Sequence, residues 1–320
     1  MDNLDRFGRK ISYLRISVTD RCNFRCVYCM PPRGVPWRPH GEILRYEEIV
    51  RVVRAAATLG IRKVRLTGGE PLVRRGLADL VRELSEIPGI EEVVLTTNGA
   101  LLSENAEALA AAGLSRVNVS LDTLRPERFR EITRLGRLED VWEGILAARK
   151  AGLVPIKLNA VVLRGVNEGE VAEIAALARE GFKVRFIEWL PLGGVGEADP
   201  GWFVPWEEVR ARVEGALGPL RPLGVQGPAR VFSLPGGGEV GFIAARSAPF
   251  CPSCNRMRIT ADGKLRPCLL SPLEIDLKGP LRAGATQDEL VRLLAEGLRT
   301  KPWAHGAEAP NDRGMSEIGG

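Results

Sequence analysis

The chain has 320 residues, a length that suits one large domain or a large domain with a smaller one. Its 45% hydrophobic and 27% charged residues are ordinary for a globular protein and argue against a disordered or low-complexity chain. The 45 basic and 40 acidic residues give a net charge of +5, a mild bias that argues against a nucleic-acid-binding surface.

The first half of the chain alternates short β-branched segments with longer amphipathic segments, a pattern typical of βα units around a parallel sheet. We predict six strands at 14–18, 63–67, 92–96, 116–121, 155–163 and 183–188, with helical segments such as 46–59 and 103–112 between them. A closed barrel of this kind needs eight units. The sequence therefore predicts an α/β fold with a partial, six-unit TIM-like βα barrel, whose mouth lies at the strand C-termini.

Beyond Leu190 the composition shifts to glycine and proline, which indicates a smaller C-terminal module. Short strands are predicted at 229–233, 239–245, 256–260 and 264–267, with a hairpin turn at 261–263 and a helix at 287–299. We accordingly divide the chain into residues 1–225, the barrel domain, and residues 226–320, the C-terminal module.

The first cysteine group follows the first predicted strand and comprises Cys22, Cys26 and Cys29. One loop with this spacing can wrap three thiolates around a compact cluster. Iron-sulfur clusters usually take four protein thiolates, so three would leave one iron open to an exogenous ligand. A zinc knuckle or unligated buried cysteines are the alternatives, but His40 is the only histidine nearby and structural zinc sites normally have four ligands.

The second group lies in the C-terminal module and comprises Cys251, Cys254 and Cys268. It also lacks a fourth cysteine, which implies a second open iron. A structural zinc site with His305 as the fourth ligand is the alternative.

Arg256 and Arg258 follow this group and point to the same side if they lie on a strand. Two adjacent guanidiniums favour an anionic partner such as a phosphate. A solvated basic strand face is the alternative.

The first cysteine loop resembles that of the radical S-adenosylmethionine (SAM) superfamily, and Gly68-Gly69-Glu70 resembles its GGE motif. In that superfamily the open iron chelates SAM, and an electron from the 4Fe-4S cluster splits the sulfonium to give a 5′-deoxyadenosyl radical. The resemblance implies SAM contacts at the Tyr28 backbone, Gly69, Ser120 and Leu190.

From end to end the chain also resembles the MoaA family of GTP 3′,8-cyclases. The matching segments are RISVTDRC (15–22), KVRLTGGEP (63–71), LTTNG (95–99), NVSLD (118–122), CPSCNRMR (251–258) and the closing Gly319-Gly320. Two departures are Leu190, where methionine is common, and the tail before Gly319, which aligns poorly.

This resemblance implies two 4Fe-4S clusters and conversion of GTP to (8S)-3′,8-cyclo-7,8-dihydroguanosine 5′-triphosphate, the first step of molybdopterin synthesis. The radical would abstract the ribose C3′ hydrogen, and the ribose would then attack guanine C8. The residues assigned to GTP are Arg15, Lys63, Arg65, Thr96, Lys157, Arg256 and Arg258, whose cations we expect around the barrel mouth. Gly319 and Gly320 are assigned to the active site, with a frayed terminus as the alternative.

The expected partners are GTP, an electron donor of the flavodoxin or ferredoxin type, the cyclic pyranopterin monophosphate synthase that acts next, and a second copy in a homodimer. The N-terminus has charges of both signs and no segment is apolar enough to span a membrane, so we expect a cytoplasmic protein with no membrane or nucleic-acid partner.

Two other functions are consistent with parts of the sequence. A radical SAM enzyme that modifies a peptide would also carry an auxiliary cluster, but it would have little use for so many cations. A non-catalytic metal protein that binds RNA would need aromatic stacking platforms, and aromatic residues make up only 6% of the chain.

Overall fold

Six parallel strands form the centre of the sheet in the computed structural model, which describes residues 3–192, 200–304 and 313–319. They are β1 (Tyr13–Ser17), β2 (Lys63–Thr67), β3 (Glu92–Thr97), β4 (Arg116–Ser120), β5 (Lys157–Val162) and β6 (Lys183–Glu188). Each pairs in parallel with the next along the chain. All six predicted strands are therefore confirmed, and the differences lie only at their ends.

Most helices connect these strands and cover one face of the sheet, whereas the last one lies in the C-terminal tail. Their bounds are α1 (Tyr46–Thr58), α2 (Leu77–Ser85), α3 (Leu102–Ala111), α4 (Pro126–Thr133), α5 (Leu138–Lys150), α6 (Val171–Ala176), α7 (Trp206–Leu217), α8 (Lys278–Arg282), α9 (Gln287–Thr300) and α10 (Met315–Ile318). In α1 the side chains of Val52, Val53 and Ala56 recur at helical spacing and are buried. Within the described residues, no helix has the length and apolar character needed to cross a membrane.

The C-terminal strands extend this sheet at both edges. They are β7 (Arg221–Gln226), β8 (Ala229–Ser233), β9 (Glu239–Ile243), β10 (Arg256–Ile259), β11 (Lys264–Arg266) and β12 (Ile275–Asp276). Strand β9 pairs in parallel with β6, and β10 pairs in parallel with β1. Eight parallel strands thus lie side by side, with antiparallel β11–β12 and β8–β7 outside them.

The sheet does not close, since its described strands run in order from β12 to β7 without a pairing between these two. This confirms the α/β fold with a partial barrel. Strands β7 and β12 and helices α7, α8 and α10 were not predicted from the sequence. The proposed division between residues 225 and 226 falls within β7.

The two faces of the central strands differ in chemistry because side chains alternate along a strand. In β1, Leu14 and Ile16 are fully buried against the helices. Tyr13, Arg15 and Ser17 lie on the opposite face, which is the inner face of the partial barrel. We call the space in front of this inner face the lumen.

Candidate active site

Basic side chains dominate the inner face of the sheet. They occupy the first or third position of their strands and are Arg15, Lys63, Arg65, Arg116, Lys157, Lys183, Arg185, Arg256 and Arg258. Strand register places Arg15 beside both Arg65 and Arg258, and it places Lys157 beside Lys183. We call these nine residues the cation cluster.

Two carboxylates neutralise part of the cation cluster. Glu92 pairs with Lys63 and lies 2.6 Å from Arg116 Nη2. Glu239 lies 2.5 Å from Lys183 Nζ and also pairs with Arg185. Two carboxylates can neutralise only part of the positive charge of nine basic residues. Positive charge is therefore in excess in the lumen.

Burial and neighbouring positive charges lower the pKa values of Lys157 and Arg258. Burial and the neighbouring Arg185, Arg116 and Arg65 lower the pKa of Lys157 to about 8. Burial and Arg256 lower the pKa of Arg258 to about 10. Such mutual repulsion is relieved when a polyanion binds.

Thr96 lies within the same group of side chains, since Arg65 Nη1 donates a hydrogen bond of 2.7 Å to its hydroxyl. Arg65 Nε donates to the phenol oxygen of Tyr13. All residues that the sequence assigned to GTP thus belong to strands of the inner face.

The first cysteine group lies beyond the C-terminal end of β1. The backbone N–H groups of Arg25 and Val27 donate to the carbonyls of Thr133 and Ile132 at the end of α4, which fixes the loop. Burial raises the pKa of Cys22 to about 11 and that of Cys29 to about 12. Thiolates at these positions therefore require a cationic partner, and the irons of a cluster would supply one.

Cys22, Cys26 and Cys29 are free and partly buried, so all three thiols are available as ligands. Structural zinc normally takes four protein ligands, whereas a cluster can accept three thiolates and leave one iron open. The donor chemistry of the loop therefore fits a cluster.

Gly69 makes the GGE loop pack directly on the cysteine loop. A Cβ at Gly69 would lie 2.3 Å from the carbonyl oxygen of Arg21. The backbone N–H groups of Gly69 and Glu70 donate to the carbonyls of Thr19 and Arg21 at 2.9 and 2.8 Å. The missing side chain is therefore needed for contact between two loops, a reason that the sequence did not reveal.

Glu70 ties a third loop to this pair. Its carboxylate is buried and accepts hydrogen bonds from the Thr97 hydroxyl at 2.7 Å and the Asn98 backbone N–H at 2.6 Å. Burial raises its pKa to about 7. The Asn98 amide in turn lies 3.9 Å from Cys22 Sγ, so the loops after β1, β2 and β3 form one unit around the cysteines.

The remaining residues assigned to SAM also lie near the strand C-termini. The Tyr28 hydroxyl donates to Asp122 at 2.6 Å, just beyond β4. Ser120 is the last residue of β4 and is partly buried. Leu190 follows β6 and is partly buried.

The second cysteine group lies at the other end of the barrel. Cys251 and Cys254 precede β10, which runs parallel to β1, and Cys268 follows the antiparallel β11. The carbonyl of Asn255 accepts from the N–H groups of Ser12 and Tyr13, both at 3.1 Å, at the start of β1. The two groups therefore flank the lumen from opposite ends.

This geometry corrects the expected position of the cations. They were expected around the mouth at the strand C-termini, but they occupy the first and third positions of their strands, nearer the second cysteine group. The cause is register, because strand pairing sets Arg65 level with Arg15 and Lys183 level with Lys157.

Lys301 binds the backbone next to the second cysteine group. Its ammonium is buried and donates to the carbonyls of Arg256 at 2.8 Å and Pro267 at 2.6 Å. Burial alone would raise the pKa of Cys254, but the positive charges of Lys301 and Arg256 lower it below its usual value. The thiolate form is thus favoured at Cys254, and the sequence analysis missed this lysine.

The C-terminal tail, residues 313–319, enters the lumen. The Gly319 carbonyl accepts a hydrogen bond from Arg258, and a Cβ at Gly319 would lie 2.3 Å from Thr67 Oγ1. The Ser316 backbone hydrogen-bonds Cys29. Gly319 is therefore placed between the two cysteine groups, whereas Gly320 and His305 lie outside the described residues.

Several residues of the lumen were not singled out from the sequence. They are Tyr13, Glu92, Arg116, Lys183, Arg185 and Glu239. A signal was available, because a charged residue opens most of the central strands. Alternation from that position would have placed these residues with Lys63 and Lys157.

Comparison with known proteins gives matches along the whole chain. Residues 16–178 match the family model of the radical SAM superfamily, and residues 182–307 match that of Molybdenum Cofactor Synthesis C. A GTP 3′,8-cyclase of Pelotomaculum thermopropionicum is 54% identical over 99% of both chains. That of Moorella thermoacetica is 52% identical over 99% of both chains.

Two solved structures share the fold at low sequence identity. Native anSMEcpe with bound AdoMet has a TM-score of 0.57 and 16% identity, and the match covers 91% of this chain and 81% of that one. Streptococcus suis SuiB bound to S-adenosylmethionine has a TM-score of 0.56 and 16% identity, with coverage of 81% and 58%.

Proposed function

The chain belongs to the GTP 3′,8-cyclase family of the radical SAM superfamily, and on that premise we propose that GTP binds in the lumen between two 4Fe-4S clusters. The protein is an enzyme of this family and acts at the first step of molybdenum cofactor synthesis. Neither peptide modification nor a non-catalytic RNA-binding role explains this family membership.

One observation carries the proposal: the two cysteine groups lie at opposite ends of a lumen lined by the cation cluster. A triphosphate brings about four negative charges and many acceptor oxygens, which would pair with these guanidinium and ammonium groups. Arg15, Lys63, Arg65, Lys157, Arg256 and Arg258, together with Thr96, are the residues proposed to bind GTP.

Cys22, Cys26 and Cys29 would hold the first cluster. When bound, this cluster and SAM supply the 5′-deoxyadenosyl radical. Our proposal assigns Gly69, Ser120, Leu190 and the Tyr28 backbone to SAM. Tyr28 belongs to the cysteine loop, Gly69 packs on it, and Ser120 and Leu190 lie at the same C-terminal end of the strands, which supports the assignment. The protein's contribution is to fix SAM against the lumen and to exclude water from it.

Cys251, Cys254 and Cys268 would hold the second cluster at the opposite end. In this position its open iron would face the base of a nucleotide whose phosphates lie among the cations. Such fixation at both ends would orient ribose C3′ towards the radical source and would keep guanine C8 close to C3′. Orientation of this kind accounts for a large part of catalysis in reactions between two groups of one substrate.

Gly319 and Gly320 are proposed to act within the lumen during radical transfer. The support for this is the contact of Gly319 with Arg258 and Thr67. A residue without a side chain is required there by the short distance to Thr67.

The proposal includes a cytoplasmic location, an electron donor of the flavodoxin or ferredoxin type, and delivery of the product to cyclic pyranopterin monophosphate synthase. It also includes a homodimer. Family membership supports the pathway step, and the absence of a strongly basic overall charge is consistent with a small-molecule substrate.

The decisive experiment is anaerobic reconstitution followed by analysis of iron and of products from GTP and SAM. We expect about eight irons per chain and formation of the cyclised nucleotide. Replacing Cys22, Cys26 and Cys29 with Ala should leave about four irons and abolish SAM cleavage. Replacing Cys251, Cys254 and Cys268 should also leave about four irons but should retain SAM cleavage without cyclisation.

Natively loaded protein should be analysed for zinc in parallel. Stoichiometric zinc in either group would contradict the two-cluster proposal, even if the reconstituted protein accepted iron.

A further inference from the structure

The tail depends on contacts outside the lumen for its position. Its helix α10 comprises only residues Met315–Ile318, a length that is unstable without tertiary contacts. Ser316, Ile318 and Gly319 are nevertheless buried. Tertiary contacts must therefore hold the tail in place, including its start.

Arg313 supplies that fixation. Its Nη1 and Nη2 atoms lie 2.9 and 3.0 Å from the two carboxylate oxygens of Asp262, which is a bidentate pair. Nη2 also lies 2.8 Å from Glu274 Oε2. The side chains of Arg313 and Asp262 are only 15% and 8% exposed. Bidentate charge-assisted pairs shielded from water are stronger and more specific in geometry than surface pairs.

Arg38 makes a second contact between the tail and Asp262. Arg38 Nη2 is 3.3 Å from Glu317 of the tail, and its Nη1 is 3.7 Å from Asp262. The Arg38 backbone N–H donates to Asp20 at 2.7 Å, just before the first cysteine group. Asp262 thus joins the tail to the loop that carries this group.

Asp262 is connected to the lumen through strand β10. It lies in the turn between β10 and β11 and accepts a hydrogen bond of 2.5 Å from Thr260. Strand β10 also carries Arg258, the partner of the Gly319 carbonyl. The β10–β11 hairpin therefore contacts both ends of the tail, through Asp262 at Arg313 and through Arg258 at Gly319.

We propose that Arg313 and Asp262 are positioning residues that place the terminal glycines in the lumen. Besides each other, their partners include Glu274, Thr260 and Arg38, which lie beside the tail. The inference rests on the proposed function, because it concerns the position from which Gly319 and Gly320 act.

The test compares Arg313→Ala with Arg313→Lys in reconstituted full-length enzyme. In Arg313→Ala we expect amide exchange of residues 315–319 to rise about ten- to 100-fold, the range for losing charge-assisted hydrogen bonds. We expect the kcat for cyclisation to fall by a similar factor, with the KM for GTP within about three-fold and SAM cleavage retained. Arg313→Lys keeps the charge but not the bidentate geometry. Its amide exchange and its kcat should therefore lie between those of the wild type and those of Arg313→Ala.

Arg164→Ala is the matched control, since Arg164 also forms a bidentate pair, with Glu208 at 3.1 and 2.6 Å, away from the lumen. This variant should leave the amide exchange of residues 315–319 and the kcat for cyclisation unchanged. If Arg313→Ala fails to fold or to load iron, Glu317→Gln weakens the contact with Arg38 and should shift tail exchange and kcat in the same direction by a smaller factor.

The two proposals fail in different ways. Wild-type tail exchange and turnover in folded Arg313→Ala would overturn the positioning role, whatever the glycines do. Increased tail exchange in Arg313→Ala, combined with normal turnover after deletion of Gly319 and Gly320, would support the anchor and overturn the proposed role of the glycines.

Discussion

Lys157 is the residue of the lumen whose charge is most readily tested. Its pKa of about 8 results from burial and from Arg185, Arg116 and Arg65. A bound triphosphate would favour the ammonium form and raise this pKa. GTP binding should therefore be accompanied by proton uptake at mildly alkaline pH.

At about pH 8.5 we expect uptake of up to about 0.7 proton per GTP, falling towards zero at about pH 7, where Lys157 is already charged. Calorimetry in two buffers of different ionisation enthalpy measures this quantity. Lys157→Gln should abolish the uptake, whereas the exposed Lys150→Gln should not. Equal uptake in the wild type and Lys157→Gln would show that another group titrates.

The same lowered pKa has a consequence for stability without ligand. Between the folded pKa of about 8 and the usual value of 10.5, the unfolded chain binds more protons than the folded chain. The contribution of Lys157 to stability is therefore unfavourable below this window, and it improves as pH rises through it.

At the scale of single elements, the loops after β1, β2 and β3 depend on a close backbone approach at Gly69. The Gly69→Ala variant would bring a Cβ to 2.3 Å from the Arg21 carbonyl oxygen, so the cysteine loop must move. We expect a loss of about 1–3 kcal/mol in stability, with weaker SAM binding and lower iron content. Anaerobic thermal unfolding, equilibrium SAM binding and iron analysis measure the three effects.

Gly215→Ala is the control for this substitution, because Gly215 lies within α7 and a Cβ there would meet nothing within 4 Å. Alanine should stabilise the helix by about 0.5–1 kcal/mol without changing SAM binding. If Gly69→Ala behaved like Gly215→Ala, the contact between the loops would not be needed for the site.

At the scale of the whole molecule, both parts of the chain share one sheet. Strands β9 and β10 cover the edges of β6 and β1, so removal of the C-terminal part would expose two edges of a parallel sheet. Unpaired edges promote association between chains. A fragment of residues 1–218 should therefore aggregate, and its elution volume and light scattering would report this.

Full-length protein at the same concentration is the reference for that fragment. A monomeric, folded fragment that bound about four irons would instead mean that the first six βα units form an independent domain.

Much of the fold could be predicted because local patterns carry it. Alternating β-branched and amphipathic segments gave all six central strands, and cysteine spacing alone separated the two groups. The sequence missed α7 and β7 because they lie in a region rich in glycine and proline. Strand β7 contains Pro222 and Gly224 and is wholly exposed, and such residues are tolerated only because it is an edge strand.

The sequence by itself determined the chemistry of the site, namely two three-cysteine groups, a set of basic residues and a glycine-ended tail. Only the tertiary structure decided that the cysteine groups lie at opposite ends of one lumen, with the cations nearer the second. The physical reason is strand pairing over a long sequence separation: β10 joins the edge of β1 in parallel, and this brings Arg258 beside Arg15. No local sequence pattern specifies that pairing or the contact of Arg313 with Asp262.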